Sequence, residues 1–332
     1  MFSGCISLIA APELPAITLT KNCYSGMFQS CISLIAAPEL PATTLANYCY
    51  QTMFCGCTSL TTTPKLPATM LATGCYSYML YGCTSLTTPP ELPATSLTDA
   101  CYDNMFGGCT SLTVAPKLPA TTLTSNCYYG MFNGCTSLTT APELLATSLD
   151  GHCYRNMFKD CSSLTMTPKL PATKLSSYCY GSMFQNCIAL TTAPELPATT
   201  LGSYCYSNMF NGCTSLKTVP ELPAITLAIY CYQNMFNGCI SLTTLPALPA
   251  TSLKNYCYYN MFKGCTKIKL SETKTETYTQ EYRIPTSGTA TTATNTLNTM
   301  FINTGGTFTG TPEINTTYYL DESCSIVPPP SE

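Results

Sequence analysis

Methionine returns every 26 residues, at Met1, Met27, Met53, Met79, Met105, Met131, Met157, Met183, Met209, Met235 and Met261, without one insertion or deletion. Phenylalanine follows each except Met79, where Leu80 stands. The unit reads M-F-x-G-C-T-S-L-T-T-A-P-E-L-P-A-T-T-L-x-x-x-C-Y-x-x, ten times complete and an eleventh time as far as its cysteine. A strict period of this length means stacked coils, because one coil cannot bury its own apolar side chains and a stack can. The repeated apolar columns, those of Phe28, Leu34, Leu40 and Leu45, are the expected core. A repeat solenoid therefore covers residues 1–266, and a different, mainly β segment, 267–332, follows as its cap.

Within each coil, Ser-Leu-Thr-Thr before Ala-Pro reads as a short strand, and stacking pairs such strands in parallel. Proline gives no ladder hydrogen bond, so Pro38 and Pro41 limit the strand to two to four paired residues. An extended, polyproline-like piece follows. On the opposite side, residues 47–54 have room for one helical turn, and the Asn-Gly type pair at Asn133-Gly134 marks a turn.

The Phe-x-Gly-Cys-Thr-Ser-Leu unit, then Leu-Pro, then an apolar position five before the next Phe, resembles the BspA-like leucine-rich repeats of bacterial surface proteins. That resemblance covers residues 1–266. It implies a right-handed solenoid with a parallel sheet on one face, an extracellular or cell-surface location, and adhesion or ligand binding without enzymatic activity. Where the family has an aliphatic residue this chain has cysteine, as at Cys49, which implies that the Cys49 column is buried.

The 23 cysteines form two columns, Cys5 to Cys265 and Cys23 to Cys257, plus Cys55 and Cys324. Coils about 4.8 Å apart would allow disulfides between neighbours by Cα separation. Stacked side chains point the same way rather than converging, which favours buried thiols behaving as small apolar groups. Cys55 and Cys57 alone lie close in sequence, with no partner histidine, so no metal site is expected. Nor is any cofactor. Charged residues make up 9% of the chain and the net charge is -3, which disfavours nucleic acid as a partner. No apolar run reaches the length of a membrane span.

Two kinds of column suggest surface roles. The residue after the first proline reads Glu39, Lys65, Glu91, Lys117, Glu143, Lys169, Glu195, alternating at every coil. It is read as a ladder of salt bridges that fixes register, or else as a polar binding stripe. An unbroken tyrosine column includes Tyr154, Tyr180, Tyr206 and Tyr232; since the neighbouring cysteine points inward, these rings are expected to be partly exposed, packing on each other or holding a sugar. A partial column, Tyr178, Tyr204, Tyr230 and Tyr256, with Tyr48 earlier, varies among the copies (Asn22, Gly74, Ala100, Asn126, His152). Positions that vary in a copied array are where specificity is expected. His152, the single histidine, has no catalytic constellation around it, and none appears elsewhere.

After Cys265 the period fails. Residues 267–279 alternate as one or two strands, Met300-Phe301 looks like a degenerate last coil, and 327–332 reads as a flexible proline-rich tail. Asn315-Thr316-Thr317 is a weak glycosylation sequon. Since Phe2 already lies in a repeat, the chain is read as a fragment, a processed form, or one with an open first coil. The expected function is a non-enzymatic surface module that binds protein or glycan; the alternative is a structural subunit of a filament, appendage or viral fibre, self-associating end to end through that open coil.

Overall fold

The computed structural model describes residues 1–291 and 293–328. They form two compact units, residues 1–168 and 169–332. The segment from 267 onward thus belongs to the second unit.

Each unit is a stack of 26-residue coils, and the side of the coil expected to hold a helical turn holds none. It is instead a run of consecutive four-residue turns. In the coil around residue 25, Cys23, Ser25, Met27, Gln29 and Cys31 donate their N–H groups three residues back, at 3.1–3.2 Å, as from Cys23 to Thr20 and from Cys31 to Phe28. The intervening residues Asn22, Tyr24, Gly26, Phe28 and Ser30 donate to the next coil, to the carbonyls of Asn47, Cys49, Gln51, Met53 and Cys55 at 3.1, 2.9, 2.8, 2.9 and 2.7 Å. Half the amides therefore close turns and half tie the stack. A helix would spend all of them within one coil.

Every fourth residue of this run has positive φ. Asn22, Gly26 and Ser30 lie at 59°, 62° and 58°, and the same three columns repeat through Tyr256, Asn260 and Gly264 at 58°, 54° and 73°. Each sits third in a turn, where a type II geometry demands a left-handed residue. This explains the Asn and Gly of Asn133-Gly134: Gly134, with φ 73°, occupies the third column. Asparagine and glycine tolerate that region; tyrosine at Tyr178, Tyr204 and Tyr230 does not do so ordinarily.

Between the left-handed residues the side chains turn inward. Phe28, Leu34 and Leu40 are buried as expected, and so are the Met, Cys, Ala and Tyr columns. The first cysteine column earns its place by hydrogen bonding: Cys57, Cys83, Cys109, Cys135 and Cys161 each donate S–H to the carbonyl of the preceding coil's Phe or Leu, at 3.0–3.2 Å. An aliphatic residue fills that space but leaves the bond unmade. The cysteines are thiols, as the parallel side-chain directions favoured.

Strand pairing is sparser than expected and occurs in two places. One is the Thr-Thr position (Ala36 with Thr62, Thr140 with Met166); the other follows the second proline, in the stretch read as polyproline-like (Thr44 with Met70, Thr226 with Ser252). Most contacts are single bridges. In the first unit, two-residue strands form at β1 (Thr122–Leu123) and β2 (Ser148–Leu149), which pair in parallel. Proline after the first site and before the second removes donors that would lengthen each on that side.

In the second unit, β3 (Thr244–Pro246) is followed by β4 (Leu270–Ser271), β5 (Tyr278–Arg283), β6 (Thr317–Asp321) and β7 (Ser325–Val327). β4, β6 and β5 make an antiparallel sheet in that order. β7 pairs in parallel with β3, Val327 opposite Pro246, so Val327 belongs to a strand and not to a tail; residues 329–332 of that expected tail lie outside the described residues. Residues 294–302 are a last coil reached by a longer route: Tyr256, Tyr258, Asn260, Phe262 and Gly264 donate to Thr294, Thr296, Asn298, Met300 and Ile302, and Phe301 stacks on Phe262 at 5.6 Å. Asn315 of the sequon spends its amide on Ala290, accepting at 3.0 Å and donating at 3.1 Å, so it is a structural residue.

Candidate functional site

The outer side of the turn ladder varies among the copies. In the coils of the first unit these positions hold Gly74, Ser77, Tyr78 and Tyr81; then Ala100, Asp103, Asn104 and Gly107; then Asn126, Tyr129, Gly130 and Asn133; then His152, Arg155, Asn156 and Lys159. The large and the absent side chains interlock. A Cβ on Gly107 would lie 2.7 Å from the Tyr81 ring, and Cβ atoms on Gly74 and Gly130 would overlap Tyr48 and Asn104.

Two polar groups result. In one, the Asn104 amide donates to Asp103 at 2.6 Å and to the Tyr78 hydroxyl at 3.1 Å, while the Tyr78 and Tyr81 rings tilt against each other at 5.4 Å. Burial pushes the Asp103 carboxyl up to about 6, opposed by hydrogen bonds from Asn104 and Ser77. Burial and then the nearby Asp103 push the Tyr78 hydroxyl up to about 12. In the other, Asn156 donates to the Tyr129 hydroxyl at 3.0 Å and the Arg155 guanidinium lies over the Tyr129 ring, 5.9 Å from its centre. His152 stands 3.4 Å from Arg155, half-buried at φ 60°; burial and that guanidinium lower its pKa. Sequence reasoning missed Asp103, Tyr78, Tyr81 and Arg155. The signal was present: each is a residue type that occurs once in its column.

In the second unit, Tyr178, Tyr204, Tyr230 and Tyr256 do come together. Their rings stack at 4.5, 4.6 and 4.6 Å within 13° of parallel. The faces of Tyr204 and Tyr230 are thus covered by their neighbours, and the ridge presents ring edges and hydroxyls, half-buried. Stacking worth about 0.5–1.5 kcal/mol per pair offsets the cost of holding tyrosine at positive φ. Below it, Tyr256 accepts from Asn295 at 2.9 Å and meets Tyr259 edge-on at 5.7 Å.

The unbroken tyrosine column is a correction. Tyr154, Tyr180, Tyr206 and Tyr232 are 1–2% exposed and lie in the core beside the cysteines, in stacks such as Tyr206–Tyr232 at 5.7 Å. The turn conformation is the reason: with a left-handed residue every fourth position, the Cys-Tyr pair need not alternate between inside and outside as it would in a strand. These rings cannot hold a ligand. The charge column is a second correction. Glu39, Lys65, Glu91, Lys117, Glu143, Lys169 and Glu195 are all exposed, but no ion pair joins one member of this column to another, and no ladder of salt bridges closes.

Chemically the outer face of the first unit offers hydroxyls, amides, the Asp103 carboxyl, the Arg155 guanidinium and the Lys159 ammonium. The buried thiols are poor nucleophiles, since burial pushes Cys109, Cys161 and Cys213 up to about 12. Among the described residues no helix is long and apolar enough to cross a membrane.

Residues 1–165, 77–209, 147–269 and 182–304 match the profile of the BspA type leucine-rich repeat region. No curated protein sequence matches the chain. Among solved structures, the crystal structure of a TLR13–ssRNA13 complex is similar over 76% of this chain at 15% identity, with a TM-score of 0.31; this chain spans 34% of that one.

Proposed function

Because the chain belongs to the BspA-type leucine-rich repeat family, we propose that it is a non-enzymatic binding module of an outer cell surface, adhering to a protein or glycan through the outer side of its turn ladder. The observation that carries this reading is that the varied side chains on that side interlock between successive coils. In an array copied with no insertion, this side brings differing side chains together, at Tyr78, Tyr81, Asp103, Tyr129 and Arg155 in the first unit and at the Tyr204–Tyr230 ridge in the second. Hydroxyls, ring edges and amides suit polar ligands such as sugars and protein loops. The net charge of -3 argues against a polyanion.

The test is adhesion of beads coated with the chain to a glycan array and to a panel of extracellular-matrix proteins. Tyr81→Asn with Tyr129→Asn alters the first unit, and Tyr204→Asn with Tyr230→Asn the second; asparagine keeps the left-handed positions satisfied. Loss of adhesion in either folded variant supports the reading and places the ligand. Undiminished adhesion in both sinks it.

A further inference from the structure

The proline-rich side of the first unit is corrugated. Among the described residues, no backbone hydrogen bond joins the segments 64–68, 90–94, 116–120 and 142–146 to one another. They stand as ridges with grooves of about 460, 560 and 480 Å³ between successive pairs. Groove walls are apolar: Pro90, Pro93, Val114 and Pro116 line the largest, and Val114 is 48% exposed. Each ridge carries one exposed charge in the order Glu39, Lys65, Glu91, Lys117, Glu143, and none of these closes an ion pair within its own chain.

We propose that this face docks a second copy of the same chain, antiparallel, about a two-fold axis running through the groove between Glu91 and Lys117. Three arguments select that partner and that axis. First, the ridges of two copies of one chain have the same spacing, so ridge meets ridge and groove meets groove along the whole contact. Second, a two-fold axis in this groove sets Glu91 against the partner's Lys117 and Lys65 against the partner's Glu143, each twice, giving the self-complementary contact that a closed dimer needs. An axis on a ridge, or one parallel to the stack, sets like charges together instead. Third, the groove on the axis is the largest of the three and the one holding the exposed valine, so the two apolar grooves that face each other there are closed off from solvent at the centre of the contact. The contact is separate from the turn ladder, so the adhesive side stays free in the dimer and two copies of it are presented.

The experiment is sedimentation equilibrium of the whole chain over a salt series, with two charge variants. Wild type is expected to double its 35.8 kDa mass in low salt. Its dissociation constant is expected to rise at least tenfold between about 0.01 M and 1 M salt, where the Debye length shrinks from about 30 to 3 Å. Lys65→Glu with Lys117→Glu makes the column acidic from Glu39 to Glu143, and Glu91→Lys with Glu143→Lys makes it basic from Lys65 to position 143. Each variant alone is expected to be monomeric and their equimolar mixture to dimerise. All four positions are exposed, and superimposable circular dichroism establishes that the variants fold; should one not, the other variant and the salt series decide. A monomeric wild type in low salt, a dimer that survives either variant, or a mixture that stays monomeric would overturn the proposal.

Discussion

Gly130→Ala and Gly26→Ala are the same substitution at the same column of the turn ladder, with φ of 55° and 62°, yet they should differ severalfold in cost. Both place an L-residue in the left-handed region, roughly 1–2 kcal/mol. At Gly26 the new methyl meets Gln29 Oε1 at 3.4 Å and Thr52 Oγ1 at 3.5 Å, ordinary contacts. At Gly130 it overlaps Asn104 Oδ1 and lies 2.9 Å from Cγ. Asn104 is 4% exposed and its amide holds both Asp103 and Tyr78, so it cannot step aside freely. Breaking a neutral bond costs about 1 kcal/mol and one to a carboxylate about 2. Gly130→Ala should therefore lose about 3–5 kcal/mol, and Gly26→Ala about 1–2. Urea unfolding followed by circular dichroism measures both. Introducing Asn104→Gly first should bring Gly130→Ala down to the Gly26 figure. Equal losses for the two alanines, or no relief from Asn104→Gly, would refute the interlocking of successive coils.

Two further outcomes are expected. The Asp103 carboxyl is raised in the fold, so its protonated form is favoured there; its stabilisation is full below the ordinary value of 3.8 and is lost as pH rises through about 6. Relative to Asp103→Asn, the wild-type chain should gain about 2 kcal/mol between pH 7 and pH 4, after allowance for partial exposure, and a difference that stays flat across urea midpoints would contradict this. Thiol labelling of the native chain at pH 8, mapped by mass spectrometry, should find exposed Cys5 first, while Cys109, Cys161 and Cys213 wait for unfolding; comparable rates would mean that these columns are open to solvent.

The period alone made the stack, the Phe and Leu columns and the final coil at Met300-Phe301 legible. What it hid is local backbone conformation. Asn-Gly at 133–134 announced one turn, but nothing in Cys-Tyr or Met-Phe announces that turns follow one another without a break. A strand-like alternation therefore seemed to send Tyr232 outward. Once the left-handed column is known, Tyr204 and Tyr230 become constrained positions and not free ones. The charge column misled for a different reason. Alternation of sign was plain, but whether Glu91 and Lys117 close on each other depends on ridge spacing, and proline sets that spacing by removing the hydrogen bonds that would draw the ridges together.

The axial bonds of the turn ladder all point one way: in every coil the N–H groups face the higher-numbered neighbour. Peptide dipoles of about 3.5 D therefore add along the stack, as they do along an α-helix, but with the opposite sense relative to the chain. In each unit the negative pole lies toward low residue numbers and the positive pole toward high ones. Duplicating or deleting a coil changes the length of this dipole without reversing it or disturbing any bond pattern, so the array can lengthen or shorten by whole units while its electrical polarity is inherited unchanged.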